Sequence, residues 1–113
     1  MKKKRTFERI PADLDFHCFN KDTFGSVTNV SENGMFLESK HIKFPLEMKF
    51  SVSIPLNEET LNVLVKVNRI TRSNGYYDGI GVELLEIPNN YLKCINRLRF
   101  ALRNRKTPSN GNS

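Results

Sequence analysis

Two short stretches carry the side chains best suited to chemistry. Arg5 and Arg9 stand four apart in Arg5-Thr6-Phe7-Glu8-Arg9, with Lys4 beside them. A guanidinium presents its donors in a planar fork, so it grips a phosphate through two bonds and also pairs with O6 and N7 of a guanine. Lysine supplies charge without the fork. The second stretch, Asn29-Val30-Ser31-Glu32-Asn33-Gly34, sets an amide and a hydroxyl two residues apart ahead of a glycine. Asn29 and Ser31 project hydrogen-bonding side chains from the turn. Gly34 is expected to serve both as a left-handed turn residue and as a place where a ligand approaches the backbone closely. Gly81 is a second candidate for such an approach.

Other chemistry is poorly represented. There is no HExxH, no GxSxG and no acidic pair at helical spacing, so no catalytic constellation is recognisable. Cys18 and Cys94 lie far apart and outside any CxxC or Cys/His ligand spacing, and they read as small buried thiols. His17 and His41 are isolated. These absences predict a protein that is not an enzyme and holds neither metal nor cofactor.

The elements that must position these residues follow from periodicity. Leu14, Phe16 and Cys18 alternate with polar residues and predict a first strand from about Asp13 to Phe19, followed by a turn at Asn20-Lys21-Asp22. Thr23–Val30 is rich in β-branched residues and Met35–Ser39 is its return, with the turn at Ser31-Glu32-Asn33-Gly34 between them. Leu46, Met48, Phe50, Val52 and Ile54 then occupy one face of a fourth strand, with Glu47, Lys49, Ser51 and Ser53 on the other. Leu61, Val63, Val65 and Val67 form a fifth strand, but Ile70 is out of phase, which predicts a bulge near Asn68-Arg69. Asn74-Gly75 predicts a tight hairpin into Ile80, Val82 and Leu84.

Six antiparallel strands with short links hide their edges best by closing, so the predicted fold is mainly β, a six-stranded antiparallel β-barrel. Pro88-Asn89-Asn90 starts a C-terminal α-helix with an asparagine as its cap, and Tyr91, Ile95, Leu98 and Leu102 recur at helical spacing as its buried stripe. Arg105 and Lys106 complement the negative end of the helix dipole. The organisation expected is a basic N-terminal segment over 1–12, a barrel with its helix over 13–106, and a disordered tail over 107–113.

Composition narrows the class. The 113 residues are 38% hydrophobic and 27% charged, which fits one domain with one core. No apolar run approaches the roughly 20 residues of a membrane span, and no apolar stretch follows the basic start as a secretory signal requires, so a cytoplasmic location is expected. The net charge of +6 is unevenly placed. Residues 1–10 hold five bases against one acid, residues 88–106 hold six bases and no acid, and the middle is net acidic. Basic ends of this kind attract polyanions.

The RxxxR and NxSxxG stretches, in that order, resemble the PilZ domain family, whose members bind cyclic di-GMP (c-di-GMP). The likeness runs from about Arg5 to Leu85. Arg9-Ile10-Pro11-Ala12-Asp13-Leu14 resembles the family's passage into the first strand, and Gly79-Ile80-Gly81-Val82-Glu83-Leu84 resembles its last-strand signature. The resemblance implies a six-stranded barrel with a helix, and c-di-GMP held by Arg5, Arg9, Asn29, Ser31 and Gly34, with Lys4 and Gly81 nearby. It further implies ligand bound as a stacked, intercalated dimer. Residues 1–10 are polar and repulsively charged with only Phe7 and Ile10 to bury, so they are expected to order when ligand phosphates supply counter-charge and to pass the signal by contact to an unidentified downstream protein. Asn29 stands where aspartate is commoner, which keeps an acceptor but loses a charge.

Two other functions compete. The basic ends suit a small-barrel nucleic-acid binder, for which Tyr76-Tyr77 is the one plausible exposed stacking platform. The phenylalanines, however, fall mostly on core-phase positions. A PilZ-like adaptor that works without ligand would lack the binding residues, which this chain retains.

Overall fold

The computed structural model describes residues 9–18, 22–40 and 42–106. Six strands, β1 (Ile10–Cys18), β2 (Thr23–Ser31), β3 (Gly34–Glu38), β4 (Lys49–Pro55), β5 (Thr60–Ser73) and β6 (Tyr76–Leu84), precede one helix, α1 (Asn89–Lys106). All pairings are antiparallel, and the order β1-β2-β3-β6-β5-β4 closes on itself where His17 of β1 meets Ser53 of β4. The chain is therefore the mainly β barrel with a C-terminal helix that its alternation predicts. Closure removes the open edges on which a small sheet would aggregate.

The core is set by the inward positions. Val52 and Ile54 of β4, Leu61, Val63, Val65 and Val67 of β5, and Ile80 and Val82 of β6 are all buried. Residues 39–48 join β3 to the non-neighbouring β4, and Ile42 and Phe44 fill the core on the way, with Phe44 edge-on to Phe50. Asn74 and Gly75 both adopt positive φ, 55° and 83°, as the tight hairpin between β5 and β6 requires. The predicted bulge also occurs: Val67 pairs with Val82 and Arg69 with Gly81, leaving Asn68 as the extra residue. Cys18 and Cys94 are buried and are not joined in a disulfide.

Several boundaries and faces differ from expectation. β1 begins at Ile10, not near Asp13, because Ile10 pairs with Val30 and is fully buried. Phe19, Asn20, Lys21 and His41 lie outside the described residues. Leu46 is not on the core face of β4: the chain turns at Glu47, whose φ is 72°, and Leu46 is exposed. Ser53, expected to face water, is buried and donates a hydrogen bond to Asn62 Oδ1 at 2.8 Å. The Pro88 carbonyl accepts the first bonds of α1 from Tyr91 and Leu92, so the cap position falls to Pro88 and not to an asparagine. Phe16, Phe44 and Phe50 are buried, whereas Phe24 of β2 and Phe100 of α1 are exceptions to the core reading and are largely exposed. The side chains of Arg105 and Lys106 and all of 107–113 lie outside the described residues.

Tyr91, Cys94 and Ile95 seat α1 on the barrel, with Leu98 packed against the same core. Burial raises the Tyr91 hydroxyl well above its ordinary ionisation range, and the neighbouring Cys94 adds to the effect. The unfolded chain loses that proton near pH 10, whereas the folded chain resists losing it. The contribution of Tyr91 is therefore fully present below about pH 10 and is lost as pH rises further. Urea midpoints measured from pH 8 to 11 should fall above pH 10, and the fall should be shallower in Tyr91→Phe; superimposable profiles would contradict this.

Candidate functional site

A cleft of about 350 Å³ opens on the outer wall of the barrel, where β2, β3, β6 and β5 lie side by side. Its floor is made by outward positions of β3 and β6, among them Gly34, Phe36, Gly81 and Glu83. Asn29 and Ser31 line it from β2, and Asn68 and Arg69 from β5. Arg9 stands at its rim, one residue before the Ile10–Val30 pair and so beside Ser31. Of the residues expected to act together, Arg9, Asn29, Ser31, Gly34 and Gly81 thus meet in one place. Lys4 and Arg5 lie outside the described residues.

Two bulges aim these side chains. Val27 faces the core, and strict alternation would send Asn29 inward with it. Val27 pairs with Leu37 and Asn29 with Phe36, so Thr28 is an extra residue that flips the phase, burying Val30 and turning Asn29 and Ser31 outward. Asn68 does the same in β5: Val67 stays inside, and Arg69 emerges on the outer face with its guanidinium 5.7 Å from the centre of the Phe36 ring. That contact is a cation–π pair. The sequence reading located the second bulge from the phase of Ile70 but did not follow it to the cleft. Asn68, Arg69, Phe36 and Glu83 were therefore missed, and the Val27/Val30 spacing was the unused signal for the first bulge.

Gly34 does not adopt the left-handed conformation expected of it; the described residues with positive φ are Asp22, Glu47, Asn74 and Gly75. Its requirement is space. A Cβ built on Gly34 would lie 2.9 Å from the Val82 carbonyl oxygen, because β3 and β6 approach closely beside the cleft. At Gly81 an added Cβ would meet Asn68 and Arg69 at ordinary contact distances of 3.4–3.5 Å.

The electrostatics are mixed. Arg9 and Arg69 bring positive charge, while Glu83, whose carboxylate is 3.9 Å from Lys66 Nζ, brings a half-exposed acceptor. Ser31 Oγ donates to Asn33 Oδ1 at 3.2 Å, which orients the turn side chains in the free protein. The arrangement offers forked donors, an amide, a hydroxyl and a carboxylate around the Arg69–Phe36 cation–π pair. Those groups suit a ligand with both phosphates and base edges. Among the described residues no cluster of His, Cys, Asp and Glu could hold a metal ion, and no helix is long and apolar enough to cross a membrane.

Comparison with known proteins settles the family. The PilZ domain model matches residues 3–101. The chain belongs to the PilZ domain family. Among solved structures, the PilZ domain of YcgR from Escherichia coli with c-di-GMP superposes with a TM-score of 0.71 at 13% identity, over 93% of this chain and 95% of that one. The inhibitor of motility MotI (DgrA) of Bacillus subtilis gives 0.71 at 18% identity, covering 91% of this chain and 51% of its own. YcgR in complex with c-di-GMP gives 0.67 at 14% identity, covering 91% and 47%. The chain thus spans about half the length of MotI and of that YcgR chain. Curated protein sequences include none that matches.

The two glycine roles separate experimentally. Gly75→Ala, at φ 83° with open space around it, should cost about 1 kcal/mol through conformation alone. Gly34→Ala must displace the Val82 carbonyl and should cost about 1–3 kcal/mol. Urea denaturation of both variants checks the order; a Gly34→Ala protein as stable as wild type would refute the close-approach account.

Proposed function

We propose that this PilZ protein is a c-di-GMP receptor that binds the dinucleotide in the outer-wall cleft and signals by contact with another protein, catalysing nothing itself. The observation that carries the reading is convergence. Arg9 from the first motif and Asn29, Ser31 and Gly34 from the second line one cleft, in a chain whose fold is shared with a PilZ domain solved with c-di-GMP.

The roles follow from the chemistry of each group. Arg5 and Arg9 supply forks for phosphate and for guanine O6 and N7, with Lys4 adding charge beside the phosphates. Asn29 and Ser31 address a base edge, and Gly34 and Gly81 keep the floor low enough for close approach. Arg69, held over Phe36, presents a flat cationic surface on which a guanine stacks. Two intercalated ligands would bring four phosphates, which matches the basic cluster at Lys4, Arg5 and Arg9.

The same composition accounts for signalling. Residues 1–9 hold five bases and one acid, with Phe7 as their only aromatic, so packing alone offsets little of their ordering entropy. Ligand phosphates supply the missing counter-charge and draw the segment across the cleft, creating a surface specific to the bound state. The ordering segment lies N-terminal to Ile10, since Ile10 is already part of β1.

Calorimetric titration with c-di-GMP tests the reading, with cyclic di-AMP, GTP and a single-stranded oligonucleotide as controls. Arg5→Ala and Arg9→Ala should each weaken binding by about 1.5–3 kcal/mol with little change in thermal stability, and Ser31→Ala by about 1 kcal/mol. Arg9→Lys should fall between wild type and Arg9→Ala. Undiminished affinity in both arginine-to-alanine variants, or preference for the oligonucleotide, would contradict the assignment. Amide exchange over residues 4–10 should slow on binding; equal protection with and without ligand would remove this segment from signalling.

A further inference from the structure

The turn that carries the second motif has two sides. One side lines the cleft through Ser31, Asn33 and Gly34. The other rests on the chain's C-terminal end, residue by residue. The Tyr91 hydroxyl lies 2.7 Å from the Ser31 carbonyl oxygen and 3.0 Å from that of Gly34, donating its single proton between them. The Asn33 carbonyl accepts from the Leu84 amide at 2.9 Å, and the Glu32 carboxylate lies 3.8 Å from Arg99 of α1. All four turn residues are thus held by the end of β6 or by α1.

Tyr91 dominates this attachment. It is the largest fully buried side chain among the described residues, and its ring is fixed in the core that seats the helix. Its hydroxyl reaches residues 57 and 60 positions away, at both ends of a turn whose closing pair is Ser31 and Gly34. An aromatic ring serves as well as a tyrosine for filling the core. The hydroxyl has a separate use, which is to fix where the two carbonyls sit and therefore where Ser31 and Gly34 present themselves to the cleft. A neutral hydrogen bond at a buried site also transmits displacement, because moving the turn leaves a carbonyl or the hydroxyl unpaired.

We propose that Tyr91 is a positioning residue for the ligand turn, and that through it occupancy of the cleft is coupled to the seating of α1. The positioning stands on the geometry alone; the coupling rests on the c-di-GMP reading above. By thermodynamic reciprocity, whatever ligand does to the helix, a change in the helix does to ligand affinity. The helix can then report binding on a surface outside the cleft lining, where Leu92 and Phe100 are exposed among Lys93, Arg97 and Arg103.

Tyr91→Phe in the full chain isolates the hydroxyl, and amide exchange reads the outcome. Without ligand, exchange at Glu32, Asn33 and Gly34 should quicken about five-fold, the loss of one hydrogen bond, while the β5 amides of 61–67 change less. Equal acceleration at both places, or none at the turn, would overturn the positioning role. With saturating c-di-GMP, amides of 91–99 should gain protection in wild type and gain less in Tyr91→Phe, whose affinity should fall about five-fold. Equal gains in the two proteins would overturn the coupling. Should wild type fail to bind c-di-GMP, the receptor reading and the coupling fall together, while the ligand-free comparison still decides the positioning. If Tyr91→Phe does not fold, wild type alone decides the positioning by nuclear magnetic resonance: the Tyr91 hydroxyl proton should exchange slowly with water and show Overhauser contacts to the turn of 31–34, and a hydroxyl in fast exchange without those contacts would overturn it.

Discussion

Side chains on a strand alternate between the two faces of the sheet, and that constraint would bury the very groups this protein presents to solvent. Counting by twos from Val27 sends Asn29 and Ser31 into the core, and counting by twos from Val67 does the same to Arg69. Thr28 and Asn68, each one residue in excess of its partner strand, reverse the phase at both places. Val30 then returns to the core behind Asn29, and Ile70 returns to it behind Arg69. The cleft exists because two polar clusters on separate hairpins are turned outward toward the same strip of wall. Pairing of β3 with β6 supplies that strip, and glycine at position 34 lets the two strands come together there.

The charge distribution acquires a location from this geometry. A net charge of +6 on a small domain says only that polyanions are attracted. The cleft sets that charge beside other groups: Arg9 and Arg69 stand among an amide, a hydroxyl and a carboxylate, each of which would require a matching partner. Glu83 would repel a ligand that offered phosphate alone and would accept from one that also offered an N–H edge. Exposed charges contribute modestly to stability and are screened by salt. On the proposed function their value lies in recognition. The neutral contacts of the Tyr91 hydroxyl face no such screening, and they run from the same turn into the helix.

Much of the fold was legible because the barrel strands alternate strongly between apolar and polar residues. Leu61 to Val67 and Ile80 to Leu84 needed no context, and Asn74-Gly75 marked its hairpin through a local conformational demand that the observed φ values meet. Where tertiary contacts outweighed local pattern, the reading failed. Leu46 continues an apolar alternation yet sits in a turn, and Ser53 reads as a solvent position yet is covered where the barrel closes. The candidate site was legible in its motifs, since Asn29, Ser31 and Gly34 are adjacent in sequence. Arg69 and Phe36 were not, because nothing local says that they share a wall with Ser31. Tyr91 was read correctly as part of the buried helical stripe, but the partners of its hydroxyl are far away in sequence and only folding brings them to it.

On the proposed function, the two motifs and the β5 bulge form one binding surface for c-di-GMP. Intermolecular nuclear Overhauser contacts, recorded on isotopically labelled protein with the unlabelled dinucleotide, test it most directly. The guanine H8 and ribose protons should contact Asn29, Phe36 and Arg69, with saturable shifts at Ser31, Gly34 and Gly81. Contacts confined instead to the groove between β1 and α1, around Pro11 and Leu98, or the absence of any saturable shift, would contradict the account.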